Sequence, residues 1–505
     1  MDGSISCSAD LQVRRTGRPK GLHYICARAI TVGLLLCVAV RGEAATSLPL
    51  VDAVKDGNRA VVRTLLQQKA DVNAPEADGT TALHWAARAD DQELIRLLLR
   101  AGANARAANR YGVTPLQLAA TNGSVTTAQA LLDAGADPNA ALPEGETILM
   151  TAARTGRADL LRVLLDRGAD LNAREKWYGE TALIWAAAEN HPDAVRVLLD
   201  RGADVNQVSA PLTFSRRRNG QSVLPLGSWT PLMYAARENA FDTGRVLVAA
   251  HARLNATDPD GASALVIAII NANYEFAAFL IDAGADPNVV DNEAGMGPLY
   301  AAVDMHRLAV GHGRPNPRPT GALDSVDIVR RLLDHKADPN AALKAPIFQR
   351  QHTIGDGTLG KGATPFMRAA KSGDVEMMKL LLAAGANPQD TLSNTTALMF
   401  ASGFGWRDGS PVAPSYDQGS PEEAIQAIAL MLDLGLDINA ANDNGDTALH
   451  VAVTGRGSSE IVRFLISRGA NLQAKNKRGQ TPLAAATASR KELGPLIEIL
   501  RNAQP

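Results

Sequence analysis

A glycine-rich stretch, Gly355-Asp-Gly-Thr-Leu-Gly-Lys-Gly362, has residue types and spacing that could bind a phosphate group. It follows the pattern G-x-x-x-x-G-K, in which backbone amides and a lysine surround the phosphates of a nucleotide. Gly362 stands where that motif needs a serine or threonine to hold magnesium, and no buried strand precedes the stretch. The sequence therefore predicts a flexible loop here, with a nucleotide site as the less favoured alternative.

The histidines do not form a catalytic or metal-ligating set. His306 and His312 lie in one segment with Asp304 nearby, but their spacing matches no known zinc ligand set. The chain has no serine elbow, no zinc-protease pair of histidines and no paired catalytic carboxylates. We therefore predict no catalytic residue, no metal and no cofactor. An enzyme with its site in 341–361 is the least favoured class.

The elements that would position any site repeat at a fixed spacing. Thr81-Ala-Leu-His-Trp-Ala-Ala87 returns as Thr114-Pro-Leu-Gln-Leu-Ala-Ala120 and as Thr147-Ile-Leu-Met-Thr-Ala-Ala153. A period of 33 residues separates the central leucines of these phrases. Such a period indicates a stacked array of units that bury a continuous core between neighbours.

After residue 47 the chain divides into about twelve units, each with two helices. Apolar residues follow helical spacing, threonine caps most first helices, and proline is tolerated at their first position. Glycine ends most second helices, and turn residues such as Asp258-Pro-Asp-Gly261 follow. The first helices are marked by Leu50, Leu83, Leu116, Leu149, Leu183, Leu232, Leu265, Leu299, Phe366, Leu398, Leu449 and Leu483.

This pattern closely resembles the ankyrin repeat family. The matching residues are Thr-Pro-Leu-x-x-Ala-Ala, Leu-Leu and Gly-Ala-Asp-x-Asn, repeated over roughly residues 47–505. The resemblance implies an all-α repeat solenoid of helix–turn–helix units with short β-hairpin loops. It also implies that the concave face, formed by hairpin tips and first helices, binds proteins. His84 and His450 are then expected to form hydrogen bonds between units.

Composition and charge narrow the function further. A charged fraction of 21% and an apolar fraction of 46% are typical of a folded soluble protein. The net charge of −2 provides no field that would favour nucleic acid. We predict a monomeric, non-catalytic protein–protein interaction module. The alternatives are an inhibitor or antitoxin-like shield of a co-exported enzyme, or a structural spacer.

Residues 1–45 read as a basic lead followed by a signal peptide. Arginines and a lysine precede the apolar run 29–40, and Gly42-Glu-Ala44 offers small residues for cleavage. All three cysteines, Cys7, Cys26 and Cys37, lie in this segment. We therefore expect a bacterial protein exported to the periplasm or secreted, whose mature chain does not insert into the membrane. The alternative is a membrane anchor formed by residues 29–40.

Four segments break the period of the array. Residues 207–227 and 341–361 each add about 16 residues to a hairpin, and 304–321 and 403–420 each add about 18 residues between two helices. Insertions in a repeat array form loops, often on the binding face. We expect the inter-helix pair to lie on the edge opposite the hairpins.

Aromatic and cationic side chains near the hairpin tips are the predicted partner-binding residues. Proline, an aromatic residue and arginines recur in both hairpin insertions. With units stacked about 8–10 Å apart, the two insertions would lie about 30 Å apart and could clamp an acidic partner across 230–340. The alternative is that they are tolerated surface loops. The predicted set comprises Tyr111, Trp177, Tyr178, Phe214, Arg216, Arg217, Arg218, Trp229, Phe348 and Arg350.

Overall fold

The computed structural model describes residues 48–211, 227–307, 318–346, 349–350, 353–354, 358–405, 419–489 and 493–504. The chain from Leu48 onward makes one compact body. Within the described residues, helices α1 to α24 form twelve consecutive pairs, which is the number of units that the leucine period predicts. The predicted helical repeat solenoid is confirmed.

Each unit has a first helix of 6–9 residues and a second helix of 9–13 residues. The first helices are α1 Pro49–Lys55, α3 Ala82–Arg88, α5 Pro115–Asn122, α7 Ile148–Arg154, α9 Ala182–Ala188, α11 Pro231–Glu238, α13 Ala264–Ile270, α15 Pro298–His306, α17 Pro365–Lys371, α19 Ala397–Ser402, α21 Ala448–Thr454 and α23 Pro482–Thr487. The second helices are α2 Arg59–Gln67, α4 Gln92–Arg100, α6 Val125–Asp133, α8 Ala158–Asp166, α10 Pro192–Asp200, α12 Phe241–Ala249, α14 Tyr274–Asp282, α16 Ser325–Asp334, α18 Val375–Ala383, α20 Pro421–Asp433, α22 Ser459–Ser467 and α24 Gly494–Asn502.

The helix boundaries follow from the capping residues in the sequence. Thr114 is the N-cap of α5, where its hydroxyl accepts the backbone N–H of Gln117 at 3.1 Å, and Pro115 occupies the first turn. Gly123 ends the helix with φ 68°, in the left-handed region that glycine adopts without strain. The carboxylate of Asp91 caps α4 by accepting the N–H groups of Glu93 and Leu94, each at 3.0 Å.

The core runs continuously between the two helix layers. In the second unit, Leu83 and Ala86 of α3 and Leu94, Ile95 and Leu98 of α4 are all at most 1% exposed. Alanine on the first helices allows close approach, while the leucines fill the space between units. Truncating one such leucine to alanine would cost about 2–5 kcal/mol, because the surrounding helices cannot fully collapse into the cavity.

The hairpins between units are mostly turns with little strand structure. Among the described residues, the strands are β1 Gln349–Arg350 paired with β2 Thr353–Ile354, and β3 Thr391–Leu392 paired with β4 Thr395–Thr396. Both pairs are antiparallel, with Gln349 opposite Ile354 and Thr391 opposite Thr396. The short hairpins therefore contribute tips that project from the helices more than they contribute a sheet.

Asparagines after the second helices join successive units. The Asn139 amide donates to the Gly168 carbonyl at 2.9 Å, and its oxygen accepts the Asp170 N–H at 2.7 Å. The same two bonds recur at Asn73, Asn288, Asn340 and Asn439. Each of these asparagines therefore satisfies a carbonyl at a helix end and fixes the spacing to the next unit.

Ion pairs also connect consecutive second helices. An arginine just after one second helix reaches the aspartate that ends the preceding one, and we call this series the Arg–Asp ladder. Its members are Arg167 with Asp133 at 2.7 Å, Arg201 with Asp166 at 2.9 Å and Arg468 with Asp433 at 3.1 Å. Because these groups are largely exposed, each pair contributes only about 0–1 kcal/mol.

Candidate functional site

The hairpin turns and the first helices form one side of the array, which we call the turn face. In the turn before α5, the side-chain oxygen of Asn109 accepts the N–H groups of Tyr111 at 3.0 Å and Val113 at 3.1 Å. Gly112, with φ 77°, closes the turn. A polar side chain thus holds the tip in one conformation, which lowers the entropy lost when a partner contacts it.

Successive tips are also bonded to one another. The N–H of Arg110 donates to the Asp78 carbonyl of the preceding turn at 2.8 Å. Lys176 makes the same bond to Glu144, also at 2.8 Å. The turn face therefore carries a row of tips whose relative positions are fixed by the backbone.

Two large aromatic side chains on these tips are exposed. Trp177 is 68% exposed and Tyr111 is 54% exposed, the two highest values among the large apolar side chains of the described residues. Arg110 lies over the Tyr111 ring with 4.9 Å between guanidinium and ring centroid, and donates to the Tyr111 hydroxyl at 2.6 Å. The N–H of Trp177 donates to the Glu175 carboxylate at 2.6 Å. These rings offer apolar area on a rigid base, which is the usual character of a binding anchor.

Cations stack on tryptophans along the first helices. Lys55 and Arg88 lie over the Trp85 ring at 4.6 Å and 5.3 Å from its centroid, and the indole N–H donates to Glu76 at 2.5 Å. Farther along, Arg154 lies over Trp185 at 5.5 Å. Arg88 and Arg154 are exposed, so the turn face of the first five units also presents guanidinium groups.

The turn face of the ninth unit is different because its cations are buried. Arg368 on α17 is 1% exposed and donates to the Asp304 carboxylate at 2.5 Å. Lys371, on the same helix, is 4% exposed and donates to the Thr358 hydroxyl. A buried guanidinium requires such partners, since an unpaired charge in the interior is costly.

Residues from the segment 304–321 connect the eighth unit to the ninth and tenth units around α17. His306 contacts Asp374 at 2.5 Å, and Arg307 donates to Glu423 at 2.6 Å, spanning the ninth unit. The Asp374 hydrogen bond raises the pKa of His306, so the ion pair is favoured in the folded chain. These contacts make units eight to ten one connected block.

The periodicity, the helix pairs and the turn face agree with one family. The model described as ankyrin repeats in three copies matches residues 50–141, 138–209, 216–309, 322–408 and 418–501. The chain belongs to the ankyrin repeat family. Ankyrin repeat proteins generally mediate protein–protein interaction and are typically non-catalytic.

Similar proteins come from animals and bacteria. The chain is 35% identical over 231 residues to human SH3 and multiple ankyrin repeat domains protein 2, covering 41% of this chain and 10% of that protein. It is 32% identical over 264 residues to the mouse B-cell lymphoma 3 protein homolog, covering 48% of this chain and 51% of that protein. Putative ankyrin repeat protein YahD of Escherichia coli is 28% identical over 239 residues, covering 47% of this chain and 95% of that protein. The chain thus spans at most about half the length of the first two relatives.

Trp229, which the sequence predicts as a partner-binding residue, is buried and does not offer an exposed ring. This side chain is 4% exposed, its N–H donates to Asp258 at 3.0 Å, and it packs edge-on against Tyr234 with ring centroids 5.5 Å apart. An indole beside a first helix can bury its ring in the ankyrin stack when a carboxylate accepts its N–H. Tyr178 is half-buried, so its exposure lies between that of the exposed Trp177 and that of the buried Trp229.

Six predicted partner-binding residues lie outside the residues whose side chains the structure describes. Phe214, Arg216, Arg217, Arg218 and Phe348 are in segments that it does not describe. Arg350 is described in its backbone alone, which pairs with Thr353 in the short hairpin. Their part in a clamp remains a prediction.

The expectation that the inter-helix insertions lie on the edge opposite the hairpin insertions stays a prediction, because residues 406–418 and 355–357 lie outside the described residues. A side chain added at Gly405, within the inter-helix segment 403–420, would lie 2.6 Å from Thr358 of the hairpin segment 341–361. The described ends of these two segments therefore meet beside α17. Sequence reasoning missed this cluster, although Arg368 and Lys371, two cations on one otherwise apolar first helix, were a visible signal.

The histidine prediction is confirmed. In His84, Nδ1 accepts the Thr81 N–H at 3.1 Å and Nε2 lies 3.0 Å from the Val113 carbonyl of the next ankyrin unit. His450 makes the equivalent contacts with Thr447 and with the Gln480 carbonyl at 2.9 Å. Burial lowers the pKa of His84, which keeps the imidazole neutral in this capping role.

A buried polar group lies between the fifth and sixth ankyrin units. Glu180 is 8% exposed, and burial raises the pKa of its carboxyl. Burial likewise raises the pKa of Tyr234, and the nearby Glu180 raises it further. Arg237 lies 5.2 Å from the Tyr234 ring centroid. Glu180 and Tyr234 are thus both buried where these two units pack together.

Two candidate chemical motifs from the sequence remain, the histidine segment around His306 and the glycine-rich stretch 355–362. The described residues contain no group of three potential metal ligands, and Asp304 and His306 are engaged by Arg368 and Asp374. His312 and residues 355–357 of the glycine-rich stretch lie outside the described residues. No helix in the described part of the chain is long and apolar enough to span a bilayer.

Proposed function

We propose that this chain is a non-catalytic binding protein that holds a partner protein on the turn face of its first five units, residues 48–211. The observation that carries the proposal is the pair of exposed aromatic tips, Trp177 and Tyr111. Large exposed aromatic side chains on a rigid surface are typical of interface anchors.

The spacing of the two anchors suits a folded partner or a long segment. They lie on turns two units apart, so the stacking distance of about 8–10 Å per unit separates them by about 20 Å. The exposed cations Arg88, Arg110 and Arg154 lie on the same face. They favour a partner surface that carries carboxylates beside apolar side chains.

The buried cations of the ninth unit support placing the proposed binding surface on the first five units. Arg368 and Lys371 of α17 are covered by residues of the chain itself, so their charges are not presented to a partner. Units one to five contain none of the four insertions except the segment that begins at residue 207. A partner therefore meets a regular and open surface there.

The proposal includes export of the protein as a monomer to the periplasm or beyond. It rests on the basic and apolar pattern of residues 1–45. Mass spectrometry of the protein isolated from its host would find a mature N-terminus at Ala45. An intact N-terminus would contradict cleavage and favour the anchor at 29–40.

The binding experiment compares two double variants of the full chain. Tyr111→Ala with Trp177→Ala removes both anchors, while Arg96→Ala with Arg162→Ala alters exposed second-helix residues as the control. The immobilised proteins capture partners from the exported fraction of the host, quantified by mass spectrometry. The anchor variant should lose at least about tenfold of the captured partner, and the control should lose none. Equal capture by both variants would overturn the proposed face. A single stoichiometric enzyme that is inactivated in the complex would favour the shield alternative.

A further inference from the structure

A groove lies between second helices α10 and α12, on the side of the array formed by second helices. Leu199, Val246, Ala249 and Ala250 form its apolar lining, and its volume is about 650 Å³. That volume falls within the range of about 300–1,000 Å³ that binding clefts have. The groove is open to solvent, so it suits the side chains of a second protein better than an enclosed small molecule.

The groove lies at a break in the Arg–Asp ladder. At the two preceding steps, Asp133 binds Arg167 and Asp166 binds Arg201. Asp200 is the next aspartate in the series, because it ends α10. The residue after α12 that would supply the arginine is Ala250. At this step the array thus supplies the aspartate of the pair, and an apolar space lies where the arginine would be.

The charges around the groove are available to an incoming group. None of the ion pairs in the described part of the chain includes Asp200, and Arg196 is held by Asp193 at 2.5 Å. Asp242 and Arg245 repeat the spacing of Asp193 and Arg196, yet they form no ion pair among the described residues. The groove therefore offers two carboxylates and one guanidinium around an apolar floor.

We infer that the α10–α12 groove docks a helix of a partner protein that presents an arginine to Asp200 and small apolar side chains to the floor. The chemistry is the one that the array itself uses at other second-helix steps, where a guanidinium joins a terminal aspartate across packed aliphatic side chains. A carboxylate on the same partner helix would meet Arg245. Because this site lies on the second helices, it is independent of the anchors on the turn face.

The test uses two labelled peptides and four variants of the full chain. The probe is a fluorescein-labelled 18-residue helical peptide with one leucine–alanine face and a central arginine, and its twin carries glutamine at that position. Fluorescence anisotropy gives both affinities. Asp200→Asn removes the acceptor and Ala250→Arg fills the groove from within. Asp334→Asn and Ala384→Arg are matched controls, because Asp334 ends α16 and Ala384 follows α18 in the same relation.

The arginine peptide should bind at least fivefold more tightly than its twin. Asp200→Asn should remove that difference, Ala250→Arg should weaken binding of both peptides at least tenfold, and the two controls should bind as the parent does. Circular dichroism should show the same helix content in all variants. Equal affinity for the two peptides, unchanged binding by Ala250→Arg, or no binding by the parent would overturn the inference. Removing Trp177 and Tyr111 should leave peptide binding unchanged, which separates this site from the turn face.

Discussion

Replacing Asp304 by alanine should destabilise the array far more than replacing the aspartate of an exposed ion pair. Asp304 accepts from Arg368, which is only 1% exposed. Removing one partner of a buried pair costs about 3–5 kcal/mol, because the remaining charge is left unpaired. Arg368 keeps its bonds to the Ser372 hydroxyl and to the Arg307 carbonyl at 3.2 Å. We therefore expect Asp304→Ala to lower the stability of this part of the array by about 3 kcal/mol.

The matched control is Asp133→Ala, which removes a ladder ion pair whose side chains are 40% and 66% exposed. That change should cost about 1 kcal/mol or less, because solvent screens the pair. Hydrogen exchange measured by mass spectrometry suits a repeat array, since units can open separately and one global unfolding free energy does not describe them. Protection should fall in α15 and α17 for Asp304→Ala.

Two outcomes would refute this reasoning. Equal loss of protection in Asp304→Ala and Asp133→Ala would mean that the burial of Arg368 does not increase the destabilisation caused by losing its partner. A double variant, Asp304→Leu with Arg368→Met, removes both charges and should recover much of the lost stability. If it is as unstable as Asp304→Ala, the cost comes from lost packing rather than from an unpaired charge.

Three further predictions concern contacts between units. Asn139→Ala should cost about 1–2 kcal/mol and reduce protection at the step between α6 and α8, because it removes two inter-unit hydrogen bonds. Gly244→Ala should cost about 1–3 kcal/mol, because the added carbon would lie 2.5 Å from the Phe276 ring; Phe276→Leu should relieve the clash. The pKa of His306 is raised by Asp374, so their ion pair stabilises fully below the unfolded value of about 6.5 and loses this effect as pH rises through the higher folded value. Urea midpoints between pH 6 and pH 9 should therefore fall in the parent and stay level in His306→Gln.

Each of these predictions has a result that contradicts it. For Asn139, the control is Asn172→Ala, since no side-chain hydrogen bond of Asn172 is present in the described part of the chain. Equal destabilisation by the two substitutions would mean that the inter-unit hydrogen bonds of Asn139 do not stabilise the array. For Gly244, unchanged stability would mean that the Phe276 ring moves at no cost. For His306, an equal pH dependence in parent and variant would show that another group titrates.

The regular part of the fold could be predicted because it depends on local and periodic information. Thr114, Pro115 and Gly123 mark the ends of α5 in the sequence and do so in the structure. His84 could be assigned to a structural role because it recurs in the same phrase as His450. Nearest-neighbour stacking makes the contact partners of such residues follow from the period itself.

The site was less predictable because its contacts do not follow the period. Trp229 stands beside a turn in sequence, yet a carboxylate 29 residues away accepts its N–H and allows burial. The Arg307–Glu423 pair joins residues 116 apart, and no local pattern encodes it. The position of Trp177 and Tyr111 at turn tips could be predicted from the sequence. Their solvent exposure is known only from the structure.

The ion pair between Arg307 and Glu423 has a consequence for how this gene can change. It links the eighth unit to the tenth and passes over the ninth, so the length of the chain between them is fixed to one unit. Gain or loss of a repeat by unequal recombination there would separate the two charges. In units two to five, the bonds of Asn139 and of the Arg–Asp ladder join neighbouring units, and a duplicated copy would find the same partners. Variation in repeat number among homologues should therefore concentrate in the first half of the array, and units eight to ten should be inherited together.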